Sequence, residues 1–197
     1  MSAGHRQIPA AFPQYGQPSA GAVEAYLNGV YGTPAEVGTY NAAIFYAVDR
    51  AAARKKLHDW LAAGQTVIAD RFMASNLAYG GALLPNLAAR KKYWRWDADL
   101  EFRMFKIPRP DRTLVLAVPP RVAQKLILMK QRRAYLKSKK RDLHEKDVRY
   151  QERVLATYRE LARFDRRMRV VECVADGQLQ SKTAIHKQVL AALRGVV

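Results

Sequence analysis

The sequence predicts an α/β protein in which a parallel sheet lies between two layers of helices. Four short apolar segments alternate with longer helical segments along the 197 residues. Such alternation is typical of parallel strands that are joined by crossover helices covering both faces of the sheet. The predicted strands are Ile8 to Phe12, Thr66 to Asp70, Thr113 to Val118 and Val170 to Val174.

The second predicted strand carries no charge until its last residue, Asp70. That pattern is typical of a strand buried on both faces of a parallel sheet, and Gly64 ends the helix before it. Ligands of open α/β sheets collect at the carboxyl ends of strands, where Asp70 and Arg71 stand together. A guanidinium and a carboxylate at such a place suit a phosphate and a metal ion. The alternative is a helix-capping Asp70 beside a surface Arg71.

The remaining elements support one domain over residues 1–197. Pro119 and Pro120 end the third strand where a helix can begin. The sequence shows no internal repeat and no low-complexity linker. A core-facing helix is predicted from apolar residues at helical spacing, namely Tyr150, Val154, Tyr158 and Leu161.

Composition limits the cellular setting and the partners. No apolar stretch reaches the length of a membrane span or forms a signal peptide, so a cytoplasmic location without membrane attachment is predicted. The single cysteine, Cys173, lies in an apolar run and is predicted to be a core residue rather than a reactive thiol. A formal charge of +17 attracts polyanions of several kinds.

The positive charge is concentrated in two places. Seven of the twelve residues from Lys130 to Arg141 are Lys or Arg. This segment is interpreted as functional, with a solvated helix face as the alternative. The smaller cluster is interpreted as a solvated helix face, and it consists of Arg90, Lys91, Lys92 and Arg95.

Several motifs occur in a fixed order along nearly the whole chain. They are Phe12 to Gly16, Tyr40 to Arg50, Leu61 to Arg71, Ser75 to Gly81, Pro110 to Pro120, Arg141 to Glu145, Tyr150 to Val154, Val170 to Cys173, and Ile185 with His186. In order and spacing these motifs resemble the thymidylate kinase family. The resemblance implies a P-loop NTPase-like three-layer αβα fold and transfer of the γ-phosphate of ATP to dTMP, which gives dTDP for dTTP biosynthesis, with Mg²⁺.

One family motif is missing, since no G-x-x-x-x-G-K-[ST] loop occurs in the 197 residues. Residues 3–12 resemble the family's segment from the end of the first helix into the second strand. We therefore expect a chain without the amino-terminal strand, which is central in the family's five-stranded sheet, and without its phosphate loop. The neighbouring strands would keep unpaired edges and exposed apolar side chains. A late start codon, an incomplete gene model and a degenerate protein all agree with this pattern.

The resemblance also assigns residues to the phosphate site. Asp70 matches the strand-end acid that helps to place Mg²⁺ through water, and Arg71 matches the arginine that binds the acceptor phosphate. A lid is expected at about residues 130–145, where cations close over the transferred phosphate. The lid candidates are Arg132, Arg133 and Arg141.

For the nucleoside, the family stacks an aromatic side chain on thymine and binds the base with an arginine four residues later. Tyr46 and Arg50 have this spacing, which places them on one helix face. Core packing is the alternative for Tyr46, and its neighbour Phe45 is assigned to the core. Tyr79 matches the tyrosine that disfavours a ribose 2′-hydroxyl. It is followed by Gly80, where bacterial members commonly carry glutamine.

The segment near Phe12 and Tyr15 matches the part of the family that holds the acceptor phosphate. Many members carry an arginine there, whereas Tyr15 offers a hydroxyl without a charge.

Two functions stay open. The first is a dTMP kinase with dTMP and ATP as partners, a homodimer as in many members, and no nucleic acid. The second is a degenerate, non-catalytic nucleotide- or nucleic-acid-binding protein, which the missing loop and the +17 charge favour.

Overall fold

The structure is a computed structural model that describes residues 6–133 and 147–196. The chain divides into two compact units, Met1–Arg109 and Pro110–Val197. Among the helices of these described ranges, none is long and apolar enough to cross a membrane.

From residue 6 onwards, the first unit contains two strands and six α-helices. A 3₁₀ turn at Pro18–Ala20 leads into the first helix, and a π-helical segment at Asp99–Met104 continues the last one. The elements are β1 (Gln7–Ala11), α1 (Gly21–Leu27), α2 (Pro34–Val37), α3 (Thr39–Ala52), α4 (Arg54–Ala62), β2 (Thr66–Asp70), α5 (Met73–Gly81) and α6 (Leu87–Ala98).

Local sequence signals set several of these boundaries. Thr33 and Glu36 form a reciprocal capping box at the start of α2, which satisfies free amide groups of the first turn. The side chain of Asn86 accepts a hydrogen bond from the amide of Ala89 and so caps α6. Gly64 follows α4 with a φ of +70°, a conformation that favours glycine, which confirms its predicted role.

Strands β1 and β2 are parallel, with Gln7 opposite Thr66 and Ala11 opposite Asp70. The prediction that β2 is buried on both faces was wrong, because its last three residues are exposed and Ile68 is 55% exposed. In the described residues β2 pairs with β1 in a two-stranded sheet. An apolar strand is buried only where neighbouring elements cover it.

Most of the first unit's core lies among its helices. Helix α3 packs against α1, α5 and the π-helical segment, while α5 also packs against α6. Phe12, Leu57 of α4 and Ile107 belong to a second apolar cluster, against which Ala10 of β1 also packs. The largest fully buried side chains include three acids as well as apolar groups, and they are Tyr93, Glu101, Val23, Asp49 and Asp97.

The second unit repeats the combination of parallel strands and helices. Helix α8 packs against both β4 and α7, and α9 packs against β4. Its elements are β3 (Thr113–Ala117), α7 (Pro120–Arg133), α8 (Val148–Phe164), β4 (Met168–Glu172), β5 (Val174–Ala175), β6 (Gln178–Leu179) and α9 (Lys182–Leu193). Helix α7 begins at Pro120, as the sequence predicted.

Burial in the second unit agrees with the predicted patterns. Tyr150, Val154 and Leu161 of α8 are buried, and Thr157 takes the fourth buried position beside a half-buried Tyr158. Cys173 is also buried, and burial, with a smaller contribution from the charge of Glu172, raises the pKa of its thiol. The core role predicted for this cysteine is therefore confirmed.

The sheet of the second unit resembles that of the first in strand number and in the exposure of an apolar strand residue. Strands β3 and β4 pair in parallel, with Thr113 opposite Met168. In the part of the chain that the structure describes, this sheet also has two strands, and Leu116 of β3 is 56% exposed. Ile68 and Leu116 agree with the expectation of exposed apolar side chains on these strands, whereas the absence of a central strand stays a prediction.

Candidate active site

The carboxyl end of β2 has an unusual backbone conformation. Asp70 ends the strand, and its carbonyl oxygen accepts a hydrogen bond of 3.0 Å from the amide of Phe12. Arg71 then adopts a φ of +56°. Such a conformation is uncommon for a residue with a Cβ, and strained residues of this kind cluster at functional sites. The side chains of Asp70 and Arg71 are both exposed here.

The structure brings two of the predicted residues together at this strand end. The guanidinium carbon of Arg71 lies 5.6 Å from the centre of the Tyr79 ring, within the range of a cation–π contact. Tyr79 lies on α5, the helix that follows the strand end, and is half-buried. The contact gives the exposed Arg71 side chain a partly defined position beside an aromatic ring.

The segment after β1 is divided between core and surface. Phe12 is 4% exposed and packs edge-on against Phe72, with 5.5 Å between the ring centres. The structure therefore places Phe12 in the apolar core, although the resemblance assigns it to substrate. Tyr15 is 60% exposed. Only Tyr15 of these two presents its side chain to solvent.

Asp49 fastens this segment to α3, a role that the sequence did not indicate. Its side chain is buried and accepts hydrogen bonds from the amide of Gln14 at 2.9 Å and the hydroxyl of Ser19 at 2.6 Å. The side-chain amide of Gln14 also donates to the Asp49 carbonyl oxygen at 2.9 Å. The sequence did not indicate these contacts of Asp49, because Gln14 and Ser19 lie 35 and 30 residues away along the chain.

The aromatic residues before Arg50 pack against other rings. Tyr46 meets Tyr26 edge-on, with 6.4 Å between the ring centres. Phe45 contacts both Tyr26, at 6.0 Å, and Tyr31, at 5.2 Å. Both side chains are half-buried. These contacts agree with the core role for Phe45, whereas the stacking role of Tyr46 stays a prediction.

Arg50 forms a buried ion pair with Glu101. Its Nε donates to Glu101 Oε2 at 2.7 Å, and its Nη2 contacts Oε1, so the guanidinium and carboxylate meet through two parallel contacts. The side chains are 2% and 0% exposed. Burial is the largest single influence and lowers the pKa of Arg50, but the charge and hydrogen bonds of Glu101, with smaller contributions from Asp97 and Tyr93, together raise the pKa above its ordinary value. Arg50 is therefore always charged.

Asp97 completes this buried group. It accepts hydrogen bonds of 3.1 and 3.3 Å from the Asn76 amide nitrogen, which also donates to the carbonyl of Ala43. Burial first, and the charge of Glu101 second, raise the pKa of Asp97 well above its ordinary value, against the smaller opposing influences of Arg50 and Asn76. We define the four residues Arg50, Asn76, Asp97 and Glu101 as the buried polar cluster.

Gly80 is closely surrounded, which explains the absence of a side chain there. A Cβ at Gly80 would clash with Tyr93 Oη and would lie 2.7 Å from Tyr93 Cζ and 2.9 Å from Thr39 Cγ2. Tyr93 is fully buried, and its hydroxyl donates to the carbonyl of Asn76 at 3.1 Å. The ring therefore has little freedom to move away.

Gly80→Ala is expected to lower the free energy of unfolding by about 1 to 3 kcal/mol, because overpacking forces a shift of Tyr93. Chemical denaturation measures the change. Gly21→Ala is the matched control, since a Cβ there meets nothing within 4 Å and Gly21 has ordinary helical angles. Equal stabilities of the two variants would contradict the packing account.

The side chains of the predicted lid residues lie outside the described part of the chain. Arg141 lies outside the described residues, and so do the side chains of Arg132 and Arg133, whose backbone ends α7.

The predicted solvated cluster on α6 is partly to largely exposed, with Lys92 and Arg95 most exposed. Within the described ranges, the acids, histidines and Cys173 form no group of three that could hold a metal ion by themselves.

Parallel strands joined by helices, with an acid and an arginine at one strand end, define an α/β protein with a candidate phosphate site at the carboxyl end of a strand. The thymidylate kinase family model matches residues 1–187. The chain therefore belongs to the thymidylate kinase family, the nucleoside monophosphate kinases that phosphorylate dTMP.

Individual relatives agree with this assignment. Thymidylate kinases from two strains of Mycobacterium tuberculosis, CDC 1551 / Oshkosh and H37Rv, are each 35% identical over 162 residues, which is 82% of this chain and 74% of theirs. A solved thymidylate kinase from Candida albicans superposes with a TM-score of 0.64 at 17% identity and covers 95% of this chain and 79% of its own. This last likeness concerns the fold.

Proposed function

We propose that the acceptor dTMP binds at the end of β2, with its phosphate on Arg71 and its sugar against Tyr79. The cation–π contact between these two side chains is the observation that carries the proposal. The planar guanidinium can bind two phosphate oxygens at once. Tyr15, which is exposed on the segment after β1, offers a hydroxyl to the same phosphate.

ATP is the phosphate donor of the family, and we assign Mg²⁺ to Asp70 through water. Mg²⁺ is usually bound by one or two carboxylates together with waters and substrate phosphates. The exposed Asp70 carboxylate fits this mode, which needs no cage of protein ligands. When bound, the ion would neutralise charge on the phosphates. The lid cations Arg132, Arg133 and Arg141 are proposed to close over the transferred group.

Thymine recognition is assigned to Tyr46 and Arg50. Stacking on an aromatic ring favours every base, so discrimination depends on hydrogen bonds at the base edge. Arg50 is charged and held by Glu101, which gives a donor with a defined direction. Tyr79 is assigned the discrimination against ribonucleotides.

The 197-residue polypeptide is expected to prefer dTMP over dCMP and UMP by at least about tenfold. Cytosine carries an amino group where thymine offers an oxygen acceptor to Arg50, and UMP carries a 2′-hydroxyl that Tyr79 is proposed to disfavour. Competitive calorimetric titrations at low and high salt measure this preference. Equal affinities for all three nucleotides, lost together as salt rises, would support the electrostatic binding protein instead.

A coupled assay with ATP and dTMP on the same sample provides a second readout. The 197 residues contain no G-x-x-x-x-G-K-[ST] loop, whose backbone amides and lysine cradle the donor phosphates. We expect dTMP binding without appreciable turnover, and robust turnover would contradict this expectation.

The single kinase domain over residues 1–197, the cytoplasmic location and a homodimer remain proposals. Exposed Ile44 and Val48, one turn apart on α3, support an interface between two copies.

A further inference from the structure

The buried polar cluster contains three charged or ionisable side chains, and their contribution to the stability of the fold does not explain why they are buried together. Arg50, Glu101 and Asp97 are almost completely excluded from solvent. Burying an ion pair is often no more stabilising than filling the same space with apolar side chains, because each charge loses its hydration. A buried pair of this kind is therefore weak evidence for a role in stability.

The position of Glu101 points to an orienting role. It lies in the π-helical segment that continues α6, one turn after Asp97. Insertions of π-helix into α-helices are rare and frequently occur at functional sites. The segment carries a carboxylate to the interior side of α3, where both of its oxygens meet the guanidinium of Arg50.

The two parallel contacts with Glu101 restrict the orientation of the Arg50 guanidinium more than a single contact with one charged atom would. A carboxylate that meets Nε and Nη2 together fixes the plane of the guanidinium as well as its position. The direction of the group's remaining N–H bonds is then fixed as well. Since base discrimination depends on the direction of such donors, the acid that sets the plane affects selectivity without contacting substrate.

We propose that Glu101 is a positioning residue for nucleotide selection, which fixes the guanidinium plane of Arg50 and thereby sets the preference for thymine over cytosine. The inference rests on the proposed role of Arg50 in base recognition. Asp97 lies in the same cluster and supplies a second carboxyl group near Arg50. That group can ionise and balance the guanidinium when Glu101 is replaced.

The test compares dTMP and dCMP binding to the full 197-residue chain by calorimetry. Glu101→Gln keeps the shape but removes the charge and one acceptor oxygen, and it should lower the dTMP preference about tenfold. Glu101→Asp keeps the charge and withdraws the carboxylate by one methylene group. It should also lower the preference, since orientation rather than charge is lost.

The matched control is Asp99→Asn in the same π-helical segment. Asp99 is exposed and pairs with Arg103, so this variant makes the same charge change without altering the cluster. We expect its dTMP preference to equal that of the parent chain. Thermal unfolding of each variant shows whether binding is measured on folded protein.

A double-mutant cycle separates positioning from general structural damage. Arg50→Gln should lower the preference about ten- to a hundredfold. If Glu101 acts through Arg50, the Arg50→Gln/Glu101→Gln variant, a neutral pair that can still hydrogen-bond, should show the same preference as Arg50→Gln alone. A merely structural role would lower affinity for both nucleotides equally and leave the preference unchanged.

The outcomes distinguish this inference from the proposed function. A parent chain that shows no dTMP preference would overturn the proposed function and the inference with it. A parent chain with the preference, and Glu101→Gln and Glu101→Asp variants that retain it within about twofold, would overturn the inference alone. A further loss on adding Glu101→Gln to Arg50→Gln would also overturn it.

Discussion

Arg71→Ala is expected to weaken dTMP binding about a hundredfold or more while thymidine binding stays unchanged. The arginine follows the exposed end of β2 and lies beside Tyr79. Two charge-assisted hydrogen bonds to phosphate are lost in the variant, each contributing roughly 1.5 to 3 kcal/mol. Calorimetric titration with both ligands measures the difference, because thymidine lacks the phosphate that Arg71 is proposed to bind.

Arg71→Lys should recover little of the lost dTMP affinity, since an ammonium is a point charge without the planar pair of donors. Arg95→Ala is the control for a general loss of positive charge, because Arg95 is an exposed residue of α6. Equal dTMP affinities of Arg71→Lys and the parent chain would show that Arg71 does not act as the phosphate clamp. Equal losses of dTMP and thymidine affinity in Arg71→Ala would show the same.

Arg50→Met is expected to lower the free energy of unfolding by about 3 to 5 kcal/mol at neutral pH, because it leaves buried acids without their cation. Glu101→Gln should cost less, since Asp97 can then ionise beside Arg50. Urea denaturation of both variants measures these changes. A loss below about 1 kcal/mol for Arg50→Met, or equal losses for the two variants, would contradict the description of the cluster as a buried ionic group.

The same variants give a pH dependence of known sign. The pKa of Asp97 is raised in the folded chain, so the native state binds its proton more tightly than the unfolded state does. Stability from this group is therefore present at low pH and declines as pH rises above the ordinary carboxyl range, by up to about 1.4 kcal/mol per pH unit. Arg50 lowers the pKa of Asp97, so removing Arg50 raises that pKa further. The loss of unfolding free energy in Arg50→Met should therefore be smaller at pH 4 than at pH 7.

The sequence predicted the existence and order of the parallel strands because β-branched runs and their bounding Gly and Pro residues are local signals. All four predicted strands overlap those of the structure: β2 has the predicted ends, and the other three differ by one or two residues at one or both ends. The burial of β2 was predicted wrongly, because burial depends on elements elsewhere in the chain. Ile68 shows the difference, since it is apolar and yet exposed.

The same limit applies to the site. Asp70, Arg71 and Tyr79 lie close together in sequence, so their grouping at a strand end could be predicted. The partner of Arg50 could not, because Glu101 is 51 residues away and lies in a π-helical segment without a known sequence signal. Likewise, Phe12 matched a substrate-contacting position, and its packing on Phe72 depends on the pairing of β1 with β2, whose carboxyl ends these two residues follow.

The burial of Cys173 makes the chain suitable for site-specific labelling. It is the single cysteine of the sequence, and its buried thiol has a raised pKa, so little reactive thiolate forms at neutral pH. A cysteine introduced at the exposed Tyr15 would then react selectively with a thiol-specific fluorophore. Such a probe would report nucleotide binding at the segment after β1 without removal of the native cysteine.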